Sequence, residues 1–110
     1  MIIDKMGNTT TITREKATVV ELVEAIEKKY DSLKNDNIIV SLFSIKKTTG
    51  KDLVEFLRVS NKHRAANHSF VIVAPNVNFN ELIDELVVVP TVQEAHDIIE
   101  MEEIERDLGF

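Results

Sequence analysis

The chain has 110 residues, of which 44% are hydrophobic and 29% charged, and it contains neither cysteine nor tryptophan. That is the composition of one ordinary globular domain, and it excludes thiol catalysis, disulfide frameworks and cysteine-based zinc sites. The net charge of −6 repels phosphate backbones, and no basic stripe interleaved with aromatics offsets it, so a nucleic-acid partner is disfavoured.

The start, Met1 to Lys5, lacks a basic stretch followed by a long apolar run, and no later run approaches a membrane span. The expectation is a cytoplasmic protein without a membrane partner, one domain over 1–110. Its charge is uneven. Residues 91–110 set Glu94, Asp97, Glu100, Glu102, Glu103, Glu105 and Asp107 against Arg106 alone, a balance of −6 that equals the charge of the whole chain.

Met1 to Ile3 and Thr9 to Thr13 are short β-prone runs on either side of Gly7-Asn8, the pattern of a hairpin. From Thr18 the period changes. Val19, Leu22, Val23, Ile26, Tyr30 and Leu33 recur at helical spacing, and Thr18 with Glu21 forms a capping box. A polar turn at 34–37 leads to Ile38–Phe43, too continuously apolar for a half-exposed strand, and Phe70–Ala74 has the same character; both read as central strands. Between them the spacing predicts a helix over 51–66, with Leu53, Phe56, Leu57 and Ser60 on one face and Thr49 with Asp52 at its start. Asn78 or Asn80 caps a short helix through Leu82 and Ile83, Val87 to Val89 form a further strand, and Thr91 with Glu94 opens a last helix carrying Val92, Ala95, Ile98, Ile99 and Met101. The order is β-β-α-β-α-β-α-β-α, an α/β fold with a predominantly parallel central sheet and an N-terminal hairpin.

The search for catalytic constellations is negative, and the expectation is no enzyme, no metal and no cofactor. His63, His68 and His96 form no metal-binding motif, and His63 and His68 straddle a helix end, where an imidazole meets the last carbonyls. The local constellation that stands out is Ser44-Ile45-Lys46-Lys47-Thr48-Thr49-Gly50, which joins the carboxyl end of a central strand to a helix start, the place where α/β folds present loops. Capping alone also accounts for Thr48 or Thr49.

With these residues in place, the chain resembles the STAS family, the domain of anti-sigma-factor antagonists and of sulfate-transporter tails. Ile38 to Phe43 fit its buried strand, Thr48-Thr49-Gly50 looks like its Ser-Ser-Gly, Phe70 to Pro75 resemble its next strand and the loop after it, and Val88 to Ala95 resemble its closing strand and helix. The resemblance implies a bacterial, regulatory, non-catalytic protein–protein interaction module. It docks a partner protein through the 44–50 loop and the following helix, with Ser44, Lys46, Lys47, Thr48, Thr49, Gly50 and Lys51 as docking residues. Thr48 falls at the family's phosphorylated serine, although Lys47 stands where the family carries an acidic residue. The whole chain, and its ending over 99–110 in particular, is also similar to short bacterial proteins labelled ribonuclease Z. The His-x-His-x-Asp-His zinc motif of that enzyme is absent, which leaves a ribonuclease Z-related role in third place. The alternative to docking is a small-ligand carrier or sensor with a site at the carboxyl ends of the strands, where Asn76, Asn78 and Asn80 cluster.

For the carboxyl terminus two readings stand. In one, residues 100–110 continue a helix that packs on its own domain. In the other they form an acidic tail whose Met101, Ile104, Leu108 and Phe110 enter a partner or a second copy, making a homodimer.

Overall fold

Threonine side chains mark where three of the helices begin. In a computed structural model, which describes residues 1–13, 18–42 and 49–109, Thr18, Thr49 and Thr91 each hold an extended backbone and accept a hydrogen bond from the amide three residues on. Glu21 and Asp52 return a bond to the amide of their capping threonine, closing two capping boxes. At Thr91 the structure shows the hydroxyl half. Satisfying free amides in this way fixes each helix start to the residue.

Strand β1 (Ile2–Met6) pairs antiparallel with β2 (Thr9–Thr13) through a turn in which Gly7 takes a φ of 62°, the left-handed conformation that glycine adopts without a Cβ clash. Strands β3 (Asn37–Ser41), β4 (Phe70–Val73) and β5 (Val87–Val89) then add in sequence order, each parallel to its neighbour. The result is a five-stranded, mostly parallel sheet in the order β1-β2-β3-β4-β5 within a mixed α/β fold.

The register sorts the side chains onto two faces. Ile12, Ile38, Val40, Phe70 and Ile72 belong to the larger core, with α1 (Val19–Lys28) and the helical segment after residue 49 packed over it. Ile39, Val71 and Val73 form the smaller one, beneath Ala95 and Ile99 of α5 (Val92–Asp107). Burial on both faces explains why β3 and β4 are apolar at successive positions.

Four expectations are corrected. The first helix breaks at Lys29 and resumes as a single turn, α2 (Tyr30–Leu33), yet all six of its expected face residues are buried. The helix expected over 51–66 is divided into α3 (Gly50–Leu53), a 3-10 turn (Val54–Phe56) and α4 (Leu57–Ala65). A 3-10 turn brings residues i and i+3 into line, and here Leu53 and Phe56 both reach full burial. In place of a helix through Leu82 and Ile83 there is one 3-10 turn, Phe79–Glu81, because the Asn78 side chain accepts from the Asn80 amide and fixes a local turn instead. Strand β3 runs from Asn37 to Ser41 rather than from Ile38 to Phe43; Phe43 lies outside the described residues. Among the described residues no helix is long and apolar enough to cross a membrane.

Candidate docking surface

Of the residues singled out in the sequence, Ser44, Lys46, Lys47, Thr48 and Phe110 lie outside the described residues. Thr49, Gly50 and Lys51 are placed at the carboxyl end of the parallel sheet. Gly50 is buried there for a definite reason: a Cβ at this position meets the Glu81 carbonyl oxygen at 2.7 Å and its carbon at 3.0 Å. The start of α3 is thereby pressed against the 3-10 turn that follows β4. Lys51 on this first turn is exposed, and so is Val54 one turn further on.

The segment after Gly50 forms one wall of a furrow of about 510 Å³ whose other wall is α1. Val20, Val23 and Glu24 line one side, and Val54, Glu55 and Leu57 the other. At one end Arg58 donates to Glu27 at 2.7 Å, an exposed cross-helix ion pair. Beyond that pair a smaller hollow of about 200 Å³ is lined by Tyr30, Val59 and Lys62, with the Lys62 ammonium 4.5 Å above the Tyr30 ring.

A second polar constellation lies at the opposite, amino-terminal end of the strands, and nothing in the sequence periodicity reveals it. His63, 0% exposed, has Nε2 at 2.6 Å from the Asp36 carbonyl and Nδ1 at 2.8 Å from the Tyr30 hydroxyl. A carbonyl only accepts, so Nε2 carries the proton and the Tyr30 hydroxyl donates to Nδ1. Burial is the main reason the His63 pKa is lowered, and the neighbouring His68 and Arg64 add to it against the Asp36 carbonyl and carboxylate. Burial likewise raises the Tyr30 pKa. The expectation that His63 meets the last carbonyls of its own helix is therefore corrected: it reaches across to the residue before β3.

Around this ring the same end of the sheet is tied by polar side chains. Asp36 accepts from Thr10 at 3.0 Å and pairs with Lys5 at 3.3 Å. Arg64 meets both Glu102 oxygens and donates to the Phe70 carbonyl at 3.0 Å. Arg106 reaches Ser69 at 3.1 Å and Asn37 at 3.4 Å, and Asn8 donates to Glu103 at 2.7 Å. The carboxyl-terminal residues to Asp107 are thus helical and tied to the body of the domain. Met101, Ile104 and Leu108 are left 50%, 53% and 66% exposed. Among the described residues no three His, Asp or Glu side chains are placed to hold a metal.

No family model matches the sequence, and no curated protein matches it. Among solved structures the chain is similar to the NMR structure of the protein TM1081, with a TM-score of 0.63 over 89% of this chain and 86% of that one. At 13% sequence identity the likeness is one of fold.

Proposed function

We propose that the chain is a STAS-like, non-catalytic regulatory module that docks a partner protein through the 44–50 loop and the helical segment after it. The observation that carries this reading is the close packing of Gly50 on Glu81. It anchors the loop's downstream end to a second loop while leaving Lys51 and Val54 exposed beside it. A surface held in place before binding loses little freedom on association. In this reading Lys46, Lys47 and Lys51 form a cationic rim for an acidic partner surface. The mostly parallel sheet within an α/β fold supports the reading, beside the resemblance carried by Thr48-Thr49-Gly50 and by the strand and following loop over 70–75.

The test is capture of the partner from native lysate with purified full-length protein, repeated with Lys46→Glu/Lys47→Glu and with Lys51→Glu. Loss of the captured partner with these variants supports the reading. Unchanged capture removes this surface as the docking site. Intact-mass measurement of protein from its native cells, with and without the partner bound, tests phosphorylation of Thr48: an added phosphate in one state supports the switch, and a single unmodified mass in both removes it.

A further inference from the structure

We propose that the furrow between α1 and the 54–61 segment is a docking groove for a cationic amphipathic helix of a protein partner. The furrow shares Val54 and the helical segment after residue 50 with the surface proposed above, but its carboxylates select the opposite charge, and the inference does not rest on that reading. Val20 and Val54, which line the furrow from its two walls, are 48% and 42% exposed, an apolar pair that its own domain leaves uncovered. One turn along α1 from Val20 stands Glu24, and next to Val54 stands Glu55. Both carboxylates are exposed and neither has a hydrogen-bond or ion-pair partner among the described residues. The other charges lining the furrow, Glu27 and Arg58, neutralise each other. Among the described residues the uncompensated charge lining the furrow is therefore wholly negative, on a molecule whose net charge is −6.

Such a site selects by two criteria at once. An apolar side chain seated between Val20 and Val54 removes both from water, and a lysine or arginine one turn away on the same helix reaches Glu24 and Glu55. The offset from Val20 to Glu24 along α1 is about 6 Å, the rise of four helical residues, and a partner helix with apolar and basic residues four apart matches it. The same charge argument excludes the chain's own exposed apolar helix face as occupant. Met101, Ile104 and Leu108 are flanked by Glu100, Glu105 and Asp107, which bring like charge to the furrow.

The experiment titrates isotope-labelled full-length protein with a synthetic helical peptide of about 14 residues, four turns, with leucines on one face and lysines beside them. A second peptide carries glutamate in place of every lysine. The lysine peptide is expected to shift amide resonances within 20–27 and 54–61, and the glutamate peptide to leave them in place. Glu24→Lys/Glu55→Lys is expected to weaken the lysine peptide by about tenfold or more and to admit the glutamate peptide; Val20→Ser/Val54→Ser is expected to weaken the lysine peptide by about tenfold. All four positions are exposed, and an amide spectrum unchanged outside the furrow verifies the fold of each variant. The single Glu55→Lys substitution replaces any double variant that fails this check. Lys51→Glu leaves this binding unaltered, which separates it from docking at the loop. Shifts confined to α5, affinity insensitive to these substitutions, or furrow amides that move with protein concentration alone, the mark of a second copy, would each overturn the proposal.

Discussion

Protonation of the His63 imidazole puts a charge into a buried site beside Arg64 and His68 and a proton on Nδ1, facing the hydroxyl that donates to it in the neutral state, so the neutral ring is the one this site accommodates. The sign of the resulting pH dependence follows. The folded pKa lies below the unfolded value of about 6.5, so between them the unfolded chain binds more protons. Stability from this site is present in full above pH 6.5 or so and is lost as the pH falls from there through the folded value. Denaturant melts from about pH 7.5 to about pH 5 are expected to show a falling midpoint, and His63→Asn, less stable throughout, is expected to lack that step. Tyr30→Phe leaves Nδ1 without its donor and costs about 1–2 kcal/mol at neutral pH. Gly50 is a second position where one atom decides. Gly50→Ala forces a methyl group into the Glu81 backbone, with an expected loss of about 1–3 kcal/mol by thermal melting and displaced amide resonances over 79–81. Of the two positions, the sequence marks Gly50 through the loop it ends. The role of His63 is not legible, because its partners Tyr30 and Asp36 lie 33 and 27 residues away and hydrogen bonds between distant side chains leave no periodic trace.

At the scale of elements, the pieces legible in the sequence were those that a local rule determines: the threonine caps, the hairpin around Gly7, and the two strands buried on both faces. What the sequence left undetermined were interruptions within helical pattern. The break at Lys29 and the 3-10 turn at Val54–Phe56 preserve the apolar face while changing the backbone, and periodicity reports faces, not hydrogen-bond types. The carboxyl-terminal helix illustrates the same limit. Its apolar residues Met101, Ile104 and Leu108 suggest the packed side, but from Glu100 onward α5 is held to the domain by polar residues, Glu102, Glu103 and Arg106, through long-range partners. Deleting residues 102–110 removes those ties and is expected to lower the melting temperature by about 10 °C, as a loss of about 2 kcal/mol does in a domain of this size. An unchanged melting temperature makes the segment an appendage instead.

The whole molecule divides its labour between the two ends of its sheet. Polar side chains lock the amino-terminal ends of the strands to α4 and α5. The carboxyl-terminal ends carry the loops, with the close contact of Gly50 on the turn after β4, and the furrow flanks them. Net charge works at this scale too, since an acidic surface speeds encounter with cationic partners in a salt-dependent way. Strand β1 has a further consequence. It is exposed along its whole length and leaves one edge of the sheet unpaired, with Ile2, Ile3 and Met6 open to solvent. Two copies joining these edges antiparallel, about a twofold axis perpendicular to the sheet, must place opposite residues on the same face. The register that pairs the entire strand then sets Asp4 against its own copy at the axis, and like charges directly opposite are destabilising. Asp4 thus disfavours edge-to-edge pairing of two copies through β1. Asp4→Val is expected to leave the monomer fold intact while raising light scattering in concentrated solution, and a variant as clear as the parent refutes this role.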